Sequence, residues 1–107
     1  MSLARGIELM RAERWFDAHE ALEDEWRTAP EPERDFLQGL VHVTVAWHHA
    51  ANDNRPGCTR QLEKAARRLG PYAPAHRGID VSRVLGQVEA ASARVAEGLL
   101  DLLPVRL

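Results

Sequence analysis

The chain has 107 residues, 45% of them hydrophobic, and is long enough to bury one core without disulfides or a structural metal. Its 14 basic and 16 acidic residues nearly balance, which gives no reason to expect nucleic acid or an anionic membrane as a partner. Cys58 is the only cysteine, and no apolar run approaches the roughly 18 residues of a membrane span. We therefore expect a soluble, cytoplasmic protein with one helical domain over residues 1–107.

The first two predicted helices are short and lie before a proline-containing turn. Ser2 is a candidate N-cap for the first helix, which should end near Glu13. The second helix should begin at about Arg14. The two prolines in residues 28–32 remove backbone donors and disfavour helix in the residues before them, so the second helix should end there.

The third predicted helix, at about residues 33–51, is the most apolar segment of the chain. After its acidic first turn, few polar side chains interrupt it, so it should be the buried central element. Residues 52–57 are rich in turn-forming residues and should separate it from a fourth helix. The inner face of that helix should consist of Cys58, Leu62, Ala65 and Leu69.

The last third of the sequence predicts an ordered loop followed by a long helix. Residues 72–79 contain a proline and a glycine and lack a helical pattern. Asp80 or Ser82 could cap the fifth helix, whose apolar stripe continues through Leu99 and Leu102 until Pro104 stops it. No segment shows the period-two alternation of a strand, so no strand is predicted.

The second helix carries the most informative polar residues. Trp15, His19, Leu22 and Trp26 share one helical stripe, and Glu23 lies one turn after His19. Two side chains at this spacing can reach one metal ion or act as an acid and base pair. A third ligand would have to come from the third helix.

Three histidines of the third helix are candidates for that partner: His42, His48 and His49. With His19 and Glu23, one of them would complete a site for a divalent metal such as zinc. The alternative is a structural cluster in which buried histidines hydrogen-bond to carboxylates. The zinc-protease motif H-E-x-x-H is not matched because Glu23 occupies the place of its second histidine. The three tryptophans are expected to be core residues.

The combination of these motifs resembles a known family. The resemblance rests on Arg14-Trp15-Phe16, Ala18-His19-Glu20-x-Leu22-Glu23-x-x-Trp26, Phe36-Leu37-Gln38-Gly39-Leu40, His48, Gly57, Leu69, Pro71-Tyr72 and Gly78-Ile79-Asp80. These motifs, over about residues 14–86, are similar to those of the small helical proteins called domain of unknown function 309. The resemblance implies an all-α fold and a recurrent set of His19, Glu23, Trp26, Gln38 and His48. It brings no established activity, but it favours His48 as the third partner.

Together these observations predict an all-α, compact bundle of about five helices around the third helix. The first functional hypothesis is a metal or small ligand bound in a pocket between the second and third helices, formed by His19, Glu23, Trp26, Gln38 and His48. The metal ligands within this set would be His19, Glu23 and His48. The alternative is a non-enzymatic helical-hairpin interaction module in which the His/Glu cluster is structural. Whether the protein is an enzyme stays open. The apolar third and fifth helices are compatible with a homodimer, and a protein partner is a further option.

Overall fold

Five helices follow one another in the predicted order. A computed structural model describes residues 3–107. The helices are α1 (Leu3–Arg11), α2 (Trp15–Arg27), α3 (Glu31–Ala51), α4 (Arg55–Leu69) and α5 (Val81–Ala96). Each packs against the next along the chain, with α3 and α4 forming the most extensive pair. The all-α fold is confirmed. The cap predicted at Ser2 lies outside the described residues.

The α1–α2 pair is brought close by a glycine. A Cβ atom at Gly6 would lie 2.5 Å from a methyl carbon of Leu22, so only glycine allows this approach of the two helices. Leu22 is fully buried there. α1 ends at Arg11, two residues before the predicted end, and Glu13 takes a left-handed conformation with φ of 58° in the turn to α2.

α3 is the central helix, as predicted, and begins two residues earlier than expected. Pro32 lies in its first turn, where a missing backbone N–H breaks no helical hydrogen bond. Its buried side chains face several neighbours and include Phe36, Leu37, Leu40, Val43 and Trp47. The short connection to α2 makes these two helices an antiparallel pair. Trp15 and Trp47 are core residues as expected, whereas Trp26 is only half-buried.

α4 packs closely on α3 because Gly39 has no side chain. A Cβ atom at Gly39 would lie 2.6 Å from Cγ of Leu69, which is fully buried. The Asn54 side chain caps α4 by accepting a hydrogen bond from the Gly57 amide at 3.0 Å. The predicted inner face is confirmed, because Cys58, Leu62, Ala65 and Leu69 are all buried.

The expectation that the chain contains no strand is wrong in one place. After a 3-10 turn at Gly70–Tyr72, strands β1 (Ala75–His76) and β2 (Ile79–Asp80) pair antiparallel. Their turn contains Arg77 and Gly78, both with positive φ. Two-residue strands are too short to produce a period-two pattern, which is why the sequence did not predict them.

The fifth helix is shorter than predicted. Asp80 caps its start by accepting from the Arg83 amide at 3.0 Å, which confirms one of the two expected caps. The helix ends at Ala96, well before Pro104, because Gly98 adopts φ of 85°. The amides of Gly98 and Leu99 then donate to the carbonyls of Val95 and Arg94, which completes a Schellman motif. Residues 97–107 fold back as an extended tail whose Val105 is buried.

No helix within residues 3–107 combines the length and apolar character needed to cross a bilayer.

Candidate functional site

A polar cavity of about 390 Å³ opens where α2, α3 and α4 meet, and three of the predicted site residues line it. These are Glu23, Trp26 and Gln38. Four further lining residues were not predicted: Glu31, Arg34, Asp35 and Arg68. We call this cavity, defined by these seven residues, the polar groove. Its volume lies within the range of small-molecule sites.

Trp26 and Arg34 form one wall of the polar groove. The guanidinium carbon of Arg34 lies 4.3 Å from the centre of the Trp26 ring, which is cation–π geometry. The same guanidinium donates from Nη1 to the Trp26 backbone carbonyl at 3.2 Å. These two contacts connect the last turns of α2 to the start of α3. This wall therefore consists of a guanidinium group stacked on an indole ring, and the two contacts between Arg34 and Trp26 fix its position.

Arg68 crosses from α4 to the opposite side of the polar groove. Its Nη1 donates to Oδ1 of Asp35 at 2.7 Å. Its Nε is buried and has no hydrogen-bond partner within the protein, and the same is true of Oε1 of Gln38. Two residues that line one cavity thus have an unpaired buried donor and an unpaired buried acceptor. Such groups are rare in folded proteins because each costs about 1–3 kcal/mol when left unsatisfied.

His42 lies one turn after Gln38 on α3 and also has a buried polar side-chain atom. Its Nδ1 is 2.7 Å from Oε1 of Gln61, so Nδ1 donates and Nε2 is the acceptor of a neutral ring. Nε2 is buried and unpaired. Burial lowers the pKa of His42, and the positive charges of Arg68, Lys64 and Arg67 lower it further, against the Gln61 hydrogen bond that raises it. The ring therefore stays neutral at physiological pH.

His19 lies beside the polar groove and is connected to it through Glu23. Its Nε2 is 3.0 Å from Oε2 of Glu23, so the contact predicted from their one-turn spacing is present. Arg27 approaches the other oxygen of Glu23 at 3.5 Å. His19 itself lines a separate depression on the outer surface of α2, together with the exposed ring of Phe16. The two sites share Glu23.

His48 belongs to a different part of the molecule. It lies ten residues after Gln38 on α3, a rise of about 15 Å along the helix axis. Its ring Nε2 is 3.4 Å from the Asn52 side chain, and its ring centre is 6.1 Å from that of His49. No three His, Cys, Asp or Glu side chains among residues 3–107 are grouped so as to hold a metal ion. His19, Glu23 and His48 are therefore not assembled as a ready metal site.

Comparison with models of protein families found a match to this chain. Residues 3–61 match the model described as Domain of unknown function (DUF309). The chain belongs to this family. The matched range contains α1, α2, α3 and the first part of α4, and so six of the seven residues of the polar groove. Comparisons with curated proteins and with solved structures found no match.

Two residues that carried the resemblance to the DUF309 family, Phe36 and Tyr72, have structural roles outside the groove. The Tyr72 hydroxyl donates to the Pro32 carbonyl at 2.7 Å, which fastens the loop after α4 to the start of α3. The rings of Tyr72 and His76 pack on Phe36, and His76 Nε2 is 2.8 Å from Oε1 of Glu33. These contacts explain why a tyrosine is placed after α4. Glu23, Trp26 and Gln38 are the motif residues that line the polar groove.

The sequence contained a signal for two of the four missed groove residues, Glu31 and Asp35. Glu31, Asp35, Gln38 and His42 recur at intervals of four, three and four residues, which places them on one face of α3. We did not recognise this stripe as a site because the rest of the helix is largely apolar. Arg68 had no comparable signal, because its arrival opposite Gln38 depends on how α4 packs on α3.

Proposed function

We propose that this DUF309 protein binds a small zwitterionic ligand in the polar groove, a molecule with a carboxylate and an amino or other N–H donor group. The observation that carries the proposal is that two residues lining the cavity, Arg68 and Gln38, each have a buried polar atom without a hydrogen-bond partner, Nε and Oε1. A ligand carboxylate would accept from Arg68, and a ligand N–H would donate to Gln38. Binding would then satisfy both protein groups at once.

The charge of the polar groove supports a ligand with both signs. Three carboxylates line it, those of Glu23, Glu31 and Asp35, against the two guanidinium groups of Arg34 and Arg68. Asp35 already pairs with Arg68, and Glu23 contacts His19 and Arg27. The excess of acid favours a cationic group in the ligand, while the free Nε of Arg68 favours a carboxylate. α-Amino acids and their close analogues have this combination.

Isothermal titration calorimetry with the proteinogenic L-amino acids tests the proposal. We expect at least one to bind, and its decarboxylated amine and its deaminated acid to bind about tenfold more weakly or worse, because each lacks one charged hydrogen bond. Arg68→Gln should weaken binding by a similar factor. Arg67→Gln is the matched control, because Arg67 is the preceding residue of α4, is exposed and does not line the groove. No binding by any amino acid, or equal effects of the two substitutions, would contradict the proposal.

A divalent metal such as zinc stays the second prediction for this side of the molecule. The 3.0 Å contact between His19 and Glu23 supports it, since these are two ligands at one-turn spacing. Other ligands would have to come from water or from a bound molecule. Elemental analysis of tag-free protein reloaded with zinc tests this. We expect about one equivalent in the wild type and a loss in His19→Ala; less than about a tenth of an equivalent in both would remove the metal hypothesis.

A further inference from the structure

A second cavity, of about 320 Å³, lies between α5, Trp47 and the tail formed by residues 97–107. It shares no lining residue with the polar groove. Its floor and walls are apolar and include Trp47, Ala90, Ala91, Leu102, Leu103 and Pro104. Arginines 83, 94 and 106 also line it, and no acidic residue does. We call this cavity, bounded by these residues and Gln87, the tail cavity.

The tail that closes this cavity is attached to the helices at three points. The Trp47 indole Nε1 donates to the Leu103 carbonyl at 2.9 Å. The Gln87 side chain donates to the Arg106 carbonyl at 2.8 Å and accepts from the Arg106 amide at 2.6 Å. Arg94 donates to Asp101 at 2.6 Å. The cavity is therefore formed by defined contacts, although the tail has no regular secondary structure.

The charges and the exposed apolar surface of the tail cavity are complementary to an amphiphile. Leu103, one of the lining residues, is 79% exposed, a large value for a leucine. Nε of Arg94 is buried without a hydrogen-bond partner, so one donor of a lining residue is unsatisfied. Arg94 forms an ion pair with Asp101, which does not line the cavity. Within residues 3–107, Arg83 and Arg106 form no ion pair with a carboxylate.

We infer that the tail cavity binds a small amphiphilic carboxylate, with its hydrocarbon body against Trp47 and the alanines of α5 and its carboxylate among the three arginines. The volume is at the lower end of the range for ligand sites, which favours a single short chain or one ring over a two-chain lipid. Arginine is the side chain best suited to hold a carboxylate, because its planar fork can donate two parallel hydrogen bonds.

Octanoate is a suitable probe, and the tryptophan indole N–H signals in ¹H–¹⁵N spectra are a site-specific readout. Trp47 lines the tail cavity and Trp26 lines the polar groove, so the two signals distinguish the two sites. Octanoate should shift the Trp47 signal and leave that of Trp26 in place. Octanol, which lacks the charge, should bind about tenfold more weakly, a loss typical of a charge-assisted hydrogen bond.

Two variants test the charge and the space of the tail cavity separately. Arg83→Gln combined with Arg106→Gln removes charge, and Ala90→Phe fills the cavity while keeping the arginines. Each should weaken octanoate binding about tenfold, and Arg60→Gln, an exposed arginine of α4 outside the cavity, should not. Equal affinity for octanoate and octanol, or a Trp47 signal that octanoate does not move, would overturn the inference.

Discussion

The two sides of α3 differ in how completely their groups are satisfied. On one side, Phe36, Leu37, Leu40 and Val43 are completely buried among other apolar side chains. On the other, Gln38 and His42 each bury a polar atom that has no partner. The first side accounts for stability, because burial of such side chains contributes about 1.5–3 kcal/mol each. We call the second side, with Gln38 and His42, the polar stripe of α3. Its unpaired groups lower stability, so the stripe is better explained by binding than by folding.

The largest effect on stability is expected at Gly39, where α3 and α4 touch. Gly39→Ala should destabilise the protein by about 1–3 kcal/mol, since its Cβ would lie 2.6 Å from the buried Leu69 side chain. Gly86→Ala is the matched control, because Gly86 lies inside α5 with no neighbouring atom within 4 Å of the added Cβ. That change should stabilise by about 0.5–1 kcal/mol through helix propensity. Urea denaturation measures both, and the same sign for both would contradict the close α3–α4 contact.

A smaller loss is expected when the one satisfied hydrogen bond of the polar stripe is broken. Gln61→Leu removes the acceptor for Nδ1 of His42 and leaves the ring with two unpaired nitrogens. The free energy of unfolding should fall by about 1–2 kcal/mol, the usual consequence of leaving a buried donor unsatisfied. Thermal unfolding followed by circular dichroism measures it. An unchanged melting temperature would mean that Gln61 does not hold His42.

The smallest effect is a dependence of stability on pH. Burial lowers the pKa of His42 in the folded protein, so the unfolded chain takes up a proton first as the pH falls. The stabilisation from the neutral ring is complete above the unfolded pKa of about 6.5 and is lost as the pH falls below it. Burial also lowers the pKa of His49, with the same sign. The melting temperature should therefore fall from pH 7.5 to about 5.5, where carboxylates hardly titrate.

His42→Gln isolates the contribution of one ring. The variant keeps an amide that can bond to Gln61 and removes the titration, so its melting temperature should change less over the same pH range. An identical pH profile in the wild type and the variant would show that His42 is not the titrating group.

The fold could be predicted from the sequence because its signals are local. The apolar stripe of Cys58, Leu62, Ala65 and Leu69 is a property of one helix, and all four residues are buried as expected. The predicted extension of α5 to Pro104 was wrong, although Gly98 marks the end of the helix. The apolar residues after it continued the helical spacing and concealed the stop signal. Here the backbone conformation of Gly98, and not the periodic pattern, determined where the helix ends.

The candidate site could be predicted only in part. Glu23, Trp26 and Gln38 line one cavity, and His19 touches Glu23 as its spacing indicated. The tertiary position of His48 could not be read from a stripe on one helix, because a stripe fixes the direction of a side chain but not its distance along the axis from a partner. The contribution of Arg68 depends on how α4 packs on α3, because Arg68 lies 33 residues along the chain from its partner Asp35.

The most direct test of a functional polar stripe is the melting temperature of Gln38→Leu, with and without the tightest-binding amino acid. The substitution removes the unpaired Oε1 and keeps the approximate size of the side chain. The variant without ligand should melt at or above the wild-type temperature, and the ligand should no longer raise its melting temperature. A variant that melts lower than the wild type and is still stabilised by the ligand would contradict a binding role for Gln38.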